Sequence, residues 1–127
     1  MNNTTKPPKQ PFSFYKRLKS FEYAFQGVVA VFRNEHNMLI HLFATCIAIV
    51  FSILLHISST EWLAVMLSIG FVWTAEIFNT AIEKTMDFIT TEKKPAIKLI
   101  KDLSAAAVLI ASITALIVGC FIFIPKI

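Results

Sequence analysis

From Phe12 onward the chain alternates between long apolar runs and short polar breaks, and the spacing within the runs predicts helix. Phe14, Leu18, Phe21, Phe25, Val28 and Phe32 recur at alternating steps of four and three, which makes a narrow apolar stripe. Lys16, Lys19, Gln26 and Arg33 lie opposite, with Arg17, Glu22 and Tyr23 on the flanks. An aromatic stripe beneath a basic face predicts an amphipathic helix over 12–34 that lies on a membrane surface. After a polar knot at 34–37, Met38 to Ile57 is apolar except for His41, Thr45, Ser52 and His56. It is long enough to cross a bilayer. A short turn follows, in which Thr60 is the expected N-cap and Trp62 an interfacial anchor. Two further crossing helices are predicted over about 61–89 and 96–124, with Pro95 in the first turn of the last. The fold class is therefore all-α integral membrane. Residues 12–127 form one domain behind a polar, Pro- and Lys-rich tail at 1–11, expected to be disordered.

Composition supports this class: 56% of the residues are hydrophobic, and the apolar positions are gathered into bilayer-length runs. The net charge of +4 does not point to nucleic acid, because the cations flank the apolar runs and build no aromatic-lined groove. Lys6, Lys9, Lys16, Arg17, Lys19 and Arg33 precede the first run, and Lys84, Lys93, Lys94, Lys98 and Lys101 surround the loop between the second and third. Only Lys126 falls on the other side. By the positive-inside rule the N-terminus and that loop are expected in the cytoplasm and the C-terminus outside. The first apolar run begins too late for a cleavable signal peptide. Cys46 and Cys120 sit inside apolar runs without metal-ligand spacing, and are expected as small core hydrophobes.

One segment departs from the apolar pattern. Ala75 to Asp87 continues the second run, yet carries Glu76, Asn79, Thr80, Glu83 and Asp87. At 100° per residue all five fall within roughly 100° of arc, and the stripe is about 16 Å long. It should reach from inside the hydrocarbon to the headgroups. A carboxylate at the depth of Glu76 is costly, which marks the stripe as a functional site. Glu35, Glu83, Asp87, Lys101 and Asp102 all fall at the expected cytoplasmic boundary. Paired carboxylates there suit Mg²⁺, and the neighbouring lysines suit phosphate. These are the electrostatic parts of phosphoryl transfer, with Glu76 deep enough to take the proton of a lipid hydroxyl. Gly27, Gly70 and Gly119 are the only glycines, so neither a P-loop nor a dinucleotide-binding loop exists. Protein-kinase signatures are absent too.

The run Glu76-Ile77-Phe78-Asn79-Thr80-Ala81-Ile82-Glu83, followed by Asp87, resembles the acidic signature of the prokaryotic diacylglycerol kinase family. Lys101-Asp102 with Ala105-Ala106-Ala107-Val108 resembles that family's second motif, and the stretches 20–27 and 35–41 match as well. Asn37, His41 and the closing residues 122–127 are in the style of the undecaprenol kinase branch. The resemblance implies a homotrimeric membrane kinase that phosphorylates a lipid alcohol, undecaprenol or diacylglycerol, from MgATP. By motif position it makes Glu76 the proton acceptor, and Glu35 and Glu83 the Mg²⁺ ligands. Nucleotide contacts would come from Lys16, Tyr23, Glu35, Glu83, Glu92, Lys93, Lys94, Lys101 and Asp102. Substrate contacts would come from Glu76, Asn79 and Ala105. Lys16 and Lys94 stand where the family has Arg and His. Ser104-Ala105 replaces Gly-Ser or Ala-Ala, and His41 replaces an acidic residue. That last change bears on lipid choice or on hydrogen bonding within the bundle.

A rival reading is a small oligomeric cation channel or proton carrier, with Glu76 and Glu83 as a pore ring. It accounts for acids in the membrane. It leaves Glu35, Lys101, Asp102 and the amphipathic helix without a part to play.

Overall fold

The computed structural model describes residues 5–127, which from Phe14 onward are helical apart from short connections. Helix α1 spans Phe14–Asn34, α2 His36–Leu54, α3 Ser59–Ile89 and α4 Pro95–Phe123, and a 3-10 turn closes the chain at Ile124–Lys126. The first four residues of the predicted tail lie outside the described residues, and 5–13 carry no regular structure. Helices α2, α3 and α4 are each long and apolar enough to cross a membrane.

The longest shared interface is between α3 and α4, and α2 packs mainly on α3. Away from the acidic stripe, Ile57, Val65 and Ile122 are buried together, with Trp62, Leu55 and Phe123 packed around them. The Lys126 ammonium lies 3.3 Å from Glu61 and ties the end of the chain to the start of α3. Helix α1 touches the others only slightly. Near its end Val31 is buried, and the Phe32 ring meets Trp73 edge-on at 5.2 Å between centroids. Its remaining aromatic stripe, including Phe14, Phe21 and Phe25, is exposed.

Three details differ from the sequence expectation. The N-cap of α3 is Ser58, not Thr60. Its hydroxyl accepts from the Glu61 N–H at 3.2 Å, while the Glu61 carboxylate accepts from the Ser58 N–H at 2.8 Å. Only Ser58 has a Glu three residues on, and that spacing closes a reciprocal capping box. Helix α2 stops at Leu54 rather than Ile57, because His56 turns into the left-handed region with φ 49°. Cys46 and Cys120 are exposed rather than in the core, since three helices bury only one side of α2 and α4. Pro95 does occupy the first turn of α4.

Candidate active site

The polar stripe of α3 is graded by burial. Glu76 is 2% exposed, Thr80 4% and Asn79 7%; Glu83 is half-buried and Asp87 exposed. Ile77, Phe78, Ile82 and Met86 sit off the stripe, and Phe78 is largely exposed. The helical period thus places the amide, the hydroxyl and the deepest carboxylate together on the face that the bundle covers.

Two neighbouring helices set the geometry there. From α4, the buried Ser104 hydroxyl donates to Asn79 Oδ1 at 2.7 Å and shares its proton with the Lys101 carbonyl at 2.9 Å. This holds the oxygen end of the Asn79 amide against α4. From α2, the His41 Nε2 lies 3.6 Å from Glu76 Oε2. That oxygen is buried and, among the described residues, has no hydrogen-bond partner. Glu83 and Glu35 are both within coulombic reach of the same carboxylate. The Trp73 indole donates to Thr45 Oγ1 at 3.0 Å, and the Thr45 hydroxyl donates to the His41 carbonyl at 2.7 Å. A polar chain therefore clamps α2 to α3 one turn from Glu76.

Beyond Glu83 the acids and lysines pair across helices. Lys101 on α4 reaches Asp87 on α3 at 2.5 Å, and Lys84 on α3 reaches Glu35 between α1 and α2 at 3.3 Å. Lys98 pairs with Asp102 at 2.5 Å within α4, and Lys94 with Glu92 at 3.4 Å in the loop. Among the described residues Glu83 has no cation within ion-pair distance.

Of the residues expected from sequence, the structure gathers Glu76, Asn79, Glu83 and Glu35 at one site, with Lys101 on its rim. No hydrogen bond or ion pair among the described residues joins Lys16, Tyr23, Glu92, Lys93, Lys94 or Asp102 to that group. Lys16 bonds the Gln10 side chain on α1's exposed side, and Tyr23 is exposed. Ala105 points outward, and the neighbouring Ser104 makes the contact to Asn79. Ser104, Lys84 and Thr80 belong to the site without having been assigned a part from sequence. Thr80 shares the stripe and was legible there. Ser104 and Lys84 are marked only by the helices they meet.

The donor set fits Mg²⁺ of a particular kind. Among the described residues no three His, Cys, Asp or Glu side chains are placed to enclose a metal ion. Two hard carboxylates, Glu35 and Glu83, flank the site. Mg²⁺ is commonly held by one or two carboxylates, with phosphate oxygens and water filling the other positions. A metal shared with a phosphate ligand would suit these two carboxylates.

The family model for prokaryotic diacylglycerol kinase matches residues 22–123, which takes in α2, α3, α4 and the acidic stripe. The chain belongs to that family. It is 38% identical over 108 residues to the undecaprenol kinase of Bacillus subtilis (strain 168), covering 85% of this chain and 88% of that protein. It is 31% identical over 121 residues to the diacylglycerol kinase of Escherichia coli (strain K12), covering 95% and 93%. The diacylglycerol kinase of Synechocystis sp. matches at 35% over 109 residues, covering 85% of this chain and 62% of the relative. Family membership makes the chain a membrane lipid kinase, and the α3 stripe is where its acidic signature folds.

Proposed function

We propose that the chain transfers the γ-phosphate of MgATP to the hydroxyl of a long-chain lipid alcohol at the cytoplasmic side of a bacterial membrane. The observation that carries this reading is the buried carboxylate of Glu76, 2% exposed and more deeply enclosed than Glu35 and Glu83. Glu76 and Glu83 are separated by about 10 Å along α3, so phosphate and lipid hydroxyl approach from opposite ends of one stripe. Glu76 takes the hydroxyl proton as the lipid oxygen bonds to the γ-phosphorus and the bond to ADP breaks. Glu35 and Glu83 would hold Mg²⁺, which when bound neutralises phosphate charge. Lys101, anchored by Asp87, adds a cation at the rim. Asn79, held by Ser104, orients the reacting groups.

Undecaprenol is the first acceptor to test, because the relative from Bacillus subtilis aligns over most of both chains. Diacylglycerol is the second. The proposal includes a homotrimer with α1 on the membrane surface and the C-terminus outside. Support for the orientation is the gathering of all cations but Lys126 on one side. Support for the surface helix is the exposed aromatic stripe of α1.

The decisive assay is radiolabelled ATP with a panel of lipid alcohols in mixed micelles. Phosphorylated undecaprenol or diacylglycerol is the expected product. Ion flux through reconstituted vesicles with no labelled lipid would favour the channel instead.

A further inference from the structure

We propose that His41 is the positioning residue for the Glu76 carboxylate, holding one of its oxygens so that the other is left for the acceptor's proton. This inference rests on the kinase reading of the same site.

The Glu76 Oε2 is buried and, among the described residues, finds no hydrogen-bond donor, while the His41 Nε2 lies 3.6 Å from it. A buried carboxylate oxygen without a partner is costly, so the group facing it decides whether it stays in place. Three ionisable groups act on this carboxylate: Glu83 from its own helix, Glu35 from the α1–α2 junction, and His41 from α2. The first two are carboxylates, which offer acceptors rather than donors. Among the described residues His41 is the only one of the three that can donate to it.

His41 is itself held in place. The Thr45 hydroxyl fastens onto the His41 carbonyl, and the Trp73 indole fastens onto Thr45. Trp73 sits one turn before Glu76 on α3, and the Phe32 ring closes over it. The turn that carries the imidazole is thus pinned to the helix that carries the base. A separation of 3.6 Å is longer than a hydrogen bond. Contacts of this kind tighten when substrate fills a site, and a small side-chain rotation is enough. With Nε2–H donating, the imidazole restrains one oxygen of the carboxylate.

The test compares kcat and KM of the full-length protein in micelles, using His41→Ala, His41→Gln, Glu76→Gln and the double variant His41→Ala with Glu76→Gln. His41→Ala should lose about tenfold or more in kcat, the scale of a lost hydrogen bond to a charged group, with KM for MgATP unchanged. His41→Gln retains a donor and should recover most of that loss. In the Glu76→Gln background, His41→Ala should cost less than about twofold more, because its effect passes through the carboxylate. Full, multiplicative loss in the double variant would overturn the inference, as would wild-type kcat in His41→Ala. So would a His41→Gln variant no better than His41→Ala while both still bind MgATP. A wild-type protein inert toward every lipid alcohol would remove the kinase reading itself, a result distinct from all of these.

Discussion

Helix α3 carries one carboxylate near each end of its apolar span, and the two are treated oppositely. Glu61 is met on every side: the Ser58 N–H donates to it, its own N–H is capped by the Ser58 hydroxyl, and Lys126 lies beside it. Glu76 is buried and, among the described residues, has an oxygen with no hydrogen-bond donor. Glu61 is an acid that builds the helix. Glu76 is an acid that the helix holds in an unfavourable place, and under the proposed function that cost is what a proton acceptor requires.

That contrast is easiest to break at Glu76. Glu76→Gln keeps shape and hydrogen bonding but removes basicity, so turnover should fall ~10²-fold or more, with MgATP binding unchanged. Steady-state kinetics alongside nucleotide titration will read both. Binding that weakens in step with turnover would turn the base into a ligand.

Moving outward along the stripe, Glu83→Gln and Glu35→Gln should each lower turnover and raise the Mg²⁺ concentration for half-maximal rate about tenfold, since each removes a hard anionic ligand. A Mg²⁺ dependence identical to wild type in both would take them out of the metal's surroundings.

Ser104→Ala probes the support of Asn79 at smaller scale. Losing one buried hydrogen bond should cost about fivefold in kcat, and Ser104→Thr should restore part of it. Unchanged kinetics in Ser104→Ala would show that the amide orients itself without α4.

The Glu61 end should answer only in stability. Ser58→Ala removes the cap of α3 and should cost about 1 kcal/mol, seen as a lower thermal midpoint in detergent, with kcat intact. A loss of kcat in this variant at full folding would mean that the two ends of α3 are coupled, and the contrast would fail.

Much of this was readable along the chain. Three bilayer-length runs, the Pro95 helix start and the acidic stripe follow from local chemistry and the 3.6-residue period. The terminal details were less legible: Thr60 looks as good a cap as Ser58 until the Glu three residues on is considered. Cys46 and Cys120 lie in apolar runs, but hydrophobicity alone does not tell a buried face from one turned to lipid.

The sequence by itself determined the class of the protein, its family and the line of side chains on α3, because each rests on spacing within single helices or on short local motifs. Which groups meet that line was decided only when three helices packed. His41 and Glu76 are far apart in the chain, as are Ser104 and Asn79, and Lys101 and Asp87. Each pair depends on the rotation and register of one helix against another. No local propensity carries that information, since helices of the same pattern can pack at several registers until their side chains interlock.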